Sequence, residues 1–224
     1  MRQLQIEVSG LEPGARLLAP AGMCSPENAV SATTVTGGDI VTVALEPELG
    51  LTALWIEAAS ETVTLTHTIS PAPKDQGYPE AVYTSRINRY TVAADDLAEA
   101  SRTIAAKAGG GRAGIDALVA EAEARFSYDH PEARFNDGAE AVPYLSCGTT
   151  PGSCVDINTY LVASLRAAGY EAGYVYGYFF PAEKGGATHD MHCWVVTRHA
   201  GEVLDWDIAH HMKAGLGPTK PSLN

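Results

Sequence analysis

Between the start of the chain and about Tyr90, apolar and polar residues alternate with a period of two. The runs Asp39 to Leu45, Leu51 to Glu57 and Thr62 to Ile69 are the clearest, and residues 1 to 10 follow the same rule. Successive side chains of a strand point to opposite faces, so this pattern predicts antiparallel strands with one face buried. Pro and Gly pairs break the runs where turns are needed. A Pro-rich stretch from Ser70 to Pro79 reads as a linker, and the alternation then gives way to helical spacing. The expected division is therefore an N-terminal β domain, residues 1–90, and a second domain, residues 91–224.

Asp95 to Ala108 reads as a helix that stops at Gly109, Gly110 and Gly111. The glycine run lacks the Lys and Ser or Thr of a phosphate loop, so a helix stop is the reading preferred. Ile115, Leu118, Val119, Ala122 and Phe126 then recur along one helical face. The clearest helix runs from Cys154 to Ala168, with Ile157, Leu161, Leu165 and Ala168 as its buried stripe and Gly169 as its end. Strands follow: Tyr174, Tyr176 and Tyr178 alternate in one, Cys193 to Thr197 form another, and Glu202 to Ile208 a third. The class is α+β, with a sandwich-like β domain first and a helix packed on an antiparallel sheet second.

Composition narrows the partners. The 224 residues are 46% apolar, enough for a full core, and the net charge is −12 with a pI near 4.9. Phosphate neutralisation needs clustered Lys and Arg, and no such cluster is visible, which argues against nucleic acid or anionic membrane as partner. No apolar stretch is long enough to span a bilayer, and the N-terminal residues lack the charge, apolar run and cleavage site of a signal peptide. Cys24, Cys147, Cys154 and Cys193 are scattered without C-x-x-C spacing, so neither a zinc knuckle nor a disulfide framework is expected and a reducing cytoplasm is.

One of these cysteines sits where chemistry is favoured. Ser153 occupies an N-cap position and Asp156 follows three residues later, the capping-box signature, so Cys154 falls at the first helical position. Unpaired N–H groups and the helix dipole there stabilise thiolate over thiol and can receive an oxyanion. A thiol nucleophile also needs a base, and the base needs an acid to orient it. If Arg198 to Gly201 is a four-residue hairpin loop, Thr197 pairs with Glu202, and counting back sets His192 opposite Asp207, close enough to share a hydrogen bond. Asp205 lies on the same face and is the rival for the acid; in this register it faces Trp194. A metal site among His189, Asp190, His192, His210 and His211 is the lesser reading, because no helix sets two imidazoles four residues apart as a zinc hydrolase would. His189, His199 and His211 are read as solvated loop histidines. Cys193 is expected to point away from His192, buried and inert. Cys147 is either a loop thiol or a neighbour of the site.

The segment Gly152-Ser153-Cys154-Val155-Asp156, with the helix ending Leu165-Arg166-Ala167-Ala168-Gly169-Tyr170, resembles the transglutaminase-like superfamily. His192-Cys193-Trp194 is similar to that family's His-x-Trp strand. Asp205-Trp206-Asp207 is similar to its closing Asp strand, with Ile208-Ala209 where Pro-Thr usually follows. The resemblance covers roughly Tyr90 to Ala209 and implies a papain-like core with Cys154, His192 and Asp207 as the catalytic triad, no metal and no cofactor. It implies acyl transfer on amides of a peptide or protein substrate through a thioester. Hydrolysis is preferred, since bacterial members include proteolytic enzymes and nothing marks an amine-acceptor site. Transfer to an amine, as in a true transglutaminase, is the first alternative. The rival from another class is a binding module with a relic triad. Peptide N-glycanases carry paired C-x-x-C motifs absent here, and arylamine acetyltransferases differ around their cysteine.

Overall fold

The computed structural model describes residues 2–47, 51–74, 76–84, 87–180 and 185–221; Met1, at the head of the first predicted strand, and Asp75, inside the predicted linker, lie outside them. The chain forms two compact units, Met1–Ala81 and Val82–Asn224.

Among the described residues, the first unit has six strands: β1 (Arg2–Val8), β2 (Arg16–Pro20), β3 (Asn28–Thr36), β4 (Gly38–Glu46), β5 (Leu51–Ala58) and β6 (Val63–Pro71). They pair antiparallel in two sheets, β1-β6-β3 and β2-β5-β4. Alternation decides what is buried. Leu54, Ile56 and Ala58 of β5 face Val63 and Leu65 of β6, and Ile6, Leu17 and Val35 pack around them. Each large aliphatic side chain removed from water there contributes about 1.5–3 kcal/mol. The residues between them, such as Trp55 and Glu57, point outward.

The short helix α1 (Glu80–Tyr83) spans the point where the units divide. Its last residues belong with the second unit. Val82 lies against Gly173, where a Cβ would meet the Val82 side chain, and the guanidinium of Arg198 sits 4.4 Å from the centre of the Tyr83 ring.

The second unit continues with α2 (Asp95–Lys107), α3 (Gly111–Arg125), the short strands β7 (Phe126–Tyr128) and β8 (Thr150–Gly152), α4 (Cys154–Ala167), β9 (Glu171–Gly177), β10 (His192–His199), β11 (Glu202–Trp206) and α5 (Ile208–Ala214). The strands β11, β10 and β9 form an antiparallel sheet in that order, and β7 pairs with β8 in parallel. Helix α4 is the centre of the unit: residues 156 to 165 are all buried, and Ile157, Leu161 and Leu165 are fully so. The apolar cluster around it takes Leu97 from α2, Ile115 and Leu118 from α3, and Cys193, Val195 and Trp206 from the sheet.

Two sequence expectations need correction. The β10–β11 turn is not a four-residue loop. His199 pairs with Glu202, leaving only Ala200 and Gly201 in the turn, both at positive φ (51° and 83°) as a tight primed hairpin turn requires. The register is therefore shifted by two, so that Val195 faces Trp206 and Val196 faces Asp205. The third strand also ends at Trp206 rather than Ile208. Asp207 leaves the sheet with φ −118° and ψ 73° and caps α5, its side chain accepting the backbone N–H of His210.

Candidate active site

Cys154 owes its place to a short chain of local constraints. Parallel pairing of β7 and β8 sets Tyr128 against Gly152, and Asp129 N–H donates to the Gly152 carbonyl at 3.0 Å. A side chain at residue 152 would strike the Phe126 ring and the Asp156 Cβ, so only glycine lets the loop approach the helix this closely. Ser153 then caps α4: its N–H and its hydroxyl both donate to Asp156 Oδ2, at 2.9 and 2.8 Å, within a capping box. The next residue is Cys154, among the first backbone N–H groups of the helix, which have no partner within it. The thiol is not on an exposed loop. Cys154 is 9% exposed and joins the apolar cluster around α4.

His192 opens β10 and lies within hydrogen-bonding reach of the Cys154 thiol. On its other side, Nε2 meets Asp207 Oδ2 at 2.7 Å. With Nε2 engaged, Nδ1 is the nitrogen left for the sulfur. The shift of register explains how Asp207 arrives there. It stands diagonal to His192 rather than opposite, and because the shift is by two residues the pair still shares a face. Its second oxygen accepts His210 N–H at 2.9 Å, and its carbonyl accepts His211 Nδ1–H at 2.9 Å, so both ends of the residue are fixed. Asp205, the rival, pairs with Val196; the carboxylate bonded to His192 is that of Asp207.

Charge follows from this packing. The Cys154 thiol is held down to about 4, chiefly by a hydrogen bond from the Cys193 thiol and further by His192, against burial, which opposes the shift. Burial alone would lower His192, but its bonds to Asp207 and Cys154 outweigh that and raise it to about 9. The resting state is thus a thiolate beside an imidazolium. Tyr128 is raised by burial first and then by the negative charge of Cys154 and Asp207, which marks its phenol as part of the same electrostatic neighbourhood. Phe179 walls the site, its ring 5.8 Å from that of His192 and 4.6 Å from that of His210.

The other histidines divide. His189 is exposed, as read from the sequence. His211 is not a solvated loop residue: it lies in α5, 2% exposed, bonded to the Asp207 carbonyl and accepting Lys220 N–H at 3.4 Å. His199 ends β10 with its ring edge-on to Tyr170. Among the described residues, no group of three or more His, Cys, Asp or Glu side chains is gathered to hold a metal ion. Cys193 is buried, as expected, but in contact with Cys154 rather than isolated, and Cys147 is exposed. The sequence signal for the Cys193 contact is its strand position: alternation turns it from the face of His192 to the face that α4 covers.

Comparison with known proteins agrees with this architecture. Residues 98–203 match the family model of the transglutaminase-like superfamily, a span that includes Cys154 and His192 and stops before Asp207. A solved structure of a proposed cysteine protease from Cytophaga hutchinsonii is similar in fold, with a TM-score of 0.60 at 12% identity, over 92% of this chain and 75% of that one. The periplasmic domain of TgpA from Pseudomonas aeruginosa, bound to ethylmercury, gives a TM-score of 0.49 at 15% identity, over 94% of this chain and 79% of that one. No curated protein matches the chain. No helix among the described residues is long and apolar enough to cross a membrane. With a helix-borne cysteine, a His strand and an antiparallel sheet inside or beside the matched span, residues 98–203 of the second unit form a transglutaminase-like domain.

Proposed function

We propose that the protein performs cysteine-dependent acyl transfer on amide bonds of a peptide or protein, with water as the acceptor. In this reading Cys154 is the nucleophile, His192 the base and then the acid, and Asp207 the group that orients the ring. The observation that carries it is the 2.7 Å bond from His192 to Asp207, with the opposite edge of the same ring within reach of a thiol at the first position of α4.

The steps follow from those contacts. The Cys154 sulfur adds to the amide carbonyl, and the carbonyl electrons move onto oxygen, giving an oxyanion to which the Cys154 backbone N–H at the helix start can donate a hydrogen bond. On collapse the C–N bond breaks, and the proton on His192 goes to the leaving amine. The thioester that remains is attacked by water, whose proton His192 takes, releasing the acid and regenerating the thiolate. Asp207 stabilises the imidazolium throughout. Water is preferred as acceptor because it needs no second binding site. Four cysteines, all unpaired, fit a reducing compartment such as the cytoplasm.

The test is mass spectrometry of a glutamine-containing peptide library incubated with the full chain, with and without a primary amine. Cleaved or deamidated products that vanish with Cys154→Ala support hydrolysis. Amine-linked products would instead make the protein a transglutaminase. No product, together with an unreactive Cys154, would overturn the enzymatic reading in favour of a binding module.

A further inference from the structure

We propose that Cys154 and Cys193 form an oxidative modification site, at which a peroxide converts the nucleophile into a reversible disulfide with its neighbour. The consequence for activity rests on the function proposed above. The disulfide itself is read by mass rather than turnover, so the two ideas fail separately.

Cys193 is brought to Cys154 by the sheet. It follows His192 on β10, and alternation turns its side chain onto the face that α4 covers, where it joins Cys154 in one buried cluster and its sulfur lies 3.4 Å from Asn158 Nδ2. Asn158 holds it there. This residue lies one helical turn after Cys154 on the same face, is fully buried, and donates through Nδ2 to the Cys193 carbonyl at 2.9 Å and to its sulfur at 3.4 Å. The Asn158 Oδ1 is buried without a partner, so the amide bears a desolvation cost while its other end pins Cys193.

The two thiols are unequal in a way that suits an attacking and a resolving pair. Cys154 is the thiolate and retains some exposure, whereas Cys193 is 2% exposed and kept protonated by its hydrogen bond to the Cys154 sulfur and then by burial. Oxidation therefore begins at Cys154. Its thiolate attacks one oxygen of hydrogen peroxide; the O–O bond breaks, the sulfur is oxidised by two electrons to a sulfenic acid, and the other oxygen leaves with a proton as water. Cys193 sulfur then attacks the sulfenic sulfur; the S–O bond breaks, an S–S bond of about 2 Å forms, and the hydroxide departs with the Cys193 proton as water. A dithiol reductant then reduces the S–S bond by thiol–disulfide exchange, itself oxidised to a disulfide, and restores both thiols.

The experiment exposes the full chain to hydrogen peroxide, blocks remaining thiols, and digests it without reduction for mass spectrometry. A linked peptide joining Cys154 to Cys193 is expected, with alkylation of Cys154 slowed at least about tenfold and recovered by dithiothreitol. In Cys193→Ser, and in Cys193→Ala as a second variant checked for folding by circular dichroism, Cys154 should instead reach sulfinic acid, which dithiothreitol does not reverse. Over-oxidation of Cys154 to the same extent in wild type and both variants, with no linked peptide, would overturn the proposal. So would a bond from Cys154 to Cys147 in place of Cys193.

Discussion

The two units bury different kinds of residue. In the first, the interior is aliphatic, and His67, paired with Thr33 at 2.8 Å, is the one buried polar residue among those described. In the second, Ser153 and Asp156 are buried at the cap of α4, Asp207 and His211 at the cap of α5, and Asn158 between α4 and Cys193. Buried polar groups cost free energy unless paired, so their concentration around Cys154 and His192 is informative in a way that the alternation of the first unit is not. One unit is organised for stability and the other carries a charged pair inside its core.

The sharpest way to break that contrast is to remove the ring. His192→Ala should lower acyl transfer by roughly 10³-fold or more, as Cys154→Ala does, and combining the two should add little, because they act as one unit. Steady-state kinetics on any peptide substrate reads both. Next, Asp207→Asn should cost on the order of 10²- to 10⁴-fold while leaving the fold intact, because asparagine still caps α5. Asp205→Asn should cost less than about tenfold, which separates the two acids directly. A third change addresses the other unit. Ile56→Ala, in the middle of β5, should destabilise the protein by about 2–5 kcal/mol in urea titration yet leave the alkylation rate of Cys154 in the folded state unchanged. The smallest effect belongs to Ser153→Ala, which loses the hydroxyl bond to Asp156 and should cost about 1 kcal/mol, with a modest fall in thiol reactivity.

Much of this was legible in the sequence because periodicity and capping are local. The strands β4, β5 and β6 and the helices α2, α3 and α4 follow from alternation, 3.6-residue spacing and the Ser153–Asp156 signature, each within a few residues of the observed bounds. The β10–β11 register was not legible. A two-residue turn with Ala at its first position requires a positive φ that alanine seldom adopts, so a four-residue loop was the more natural expectation. The prediction that His192 meets Asp207 nonetheless coincides with the geometry, since a shift of two preserves the face. Helix α5 was hidden because Asp205-Trp206-Asp207-Ile208 continues the strand pattern, although Asp207 as cap and Gly215 in the left-handed region mark its two ends. The burial of His211 followed that missed helix. The contact between Cys193 and Cys154 depends on helix-on-sheet packing, which alternation orients but does not measure.

Cys154 is a thiolate because the Cys193 thiol donates to it and an imidazolium stands beside it. The measurement that addresses it most directly is the rate of iodoacetamide reaction at Cys154 across pH, in the wild type and in His192→Ala. The thiol lies at about 4 and His192 at about 9, so the wild-type thiolate forms as pH rises through the lower value and the ion pair persists up to the higher one. Alkylation should therefore be fast and nearly flat from about pH 5 to 8. In His192→Ala its midpoint should move up, yet stay below the ordinary thiol range near about 8.5, because the Cys193 bond remains. A wild-type midpoint already in that ordinary range, or identical profiles in the two proteins, would contradict the account.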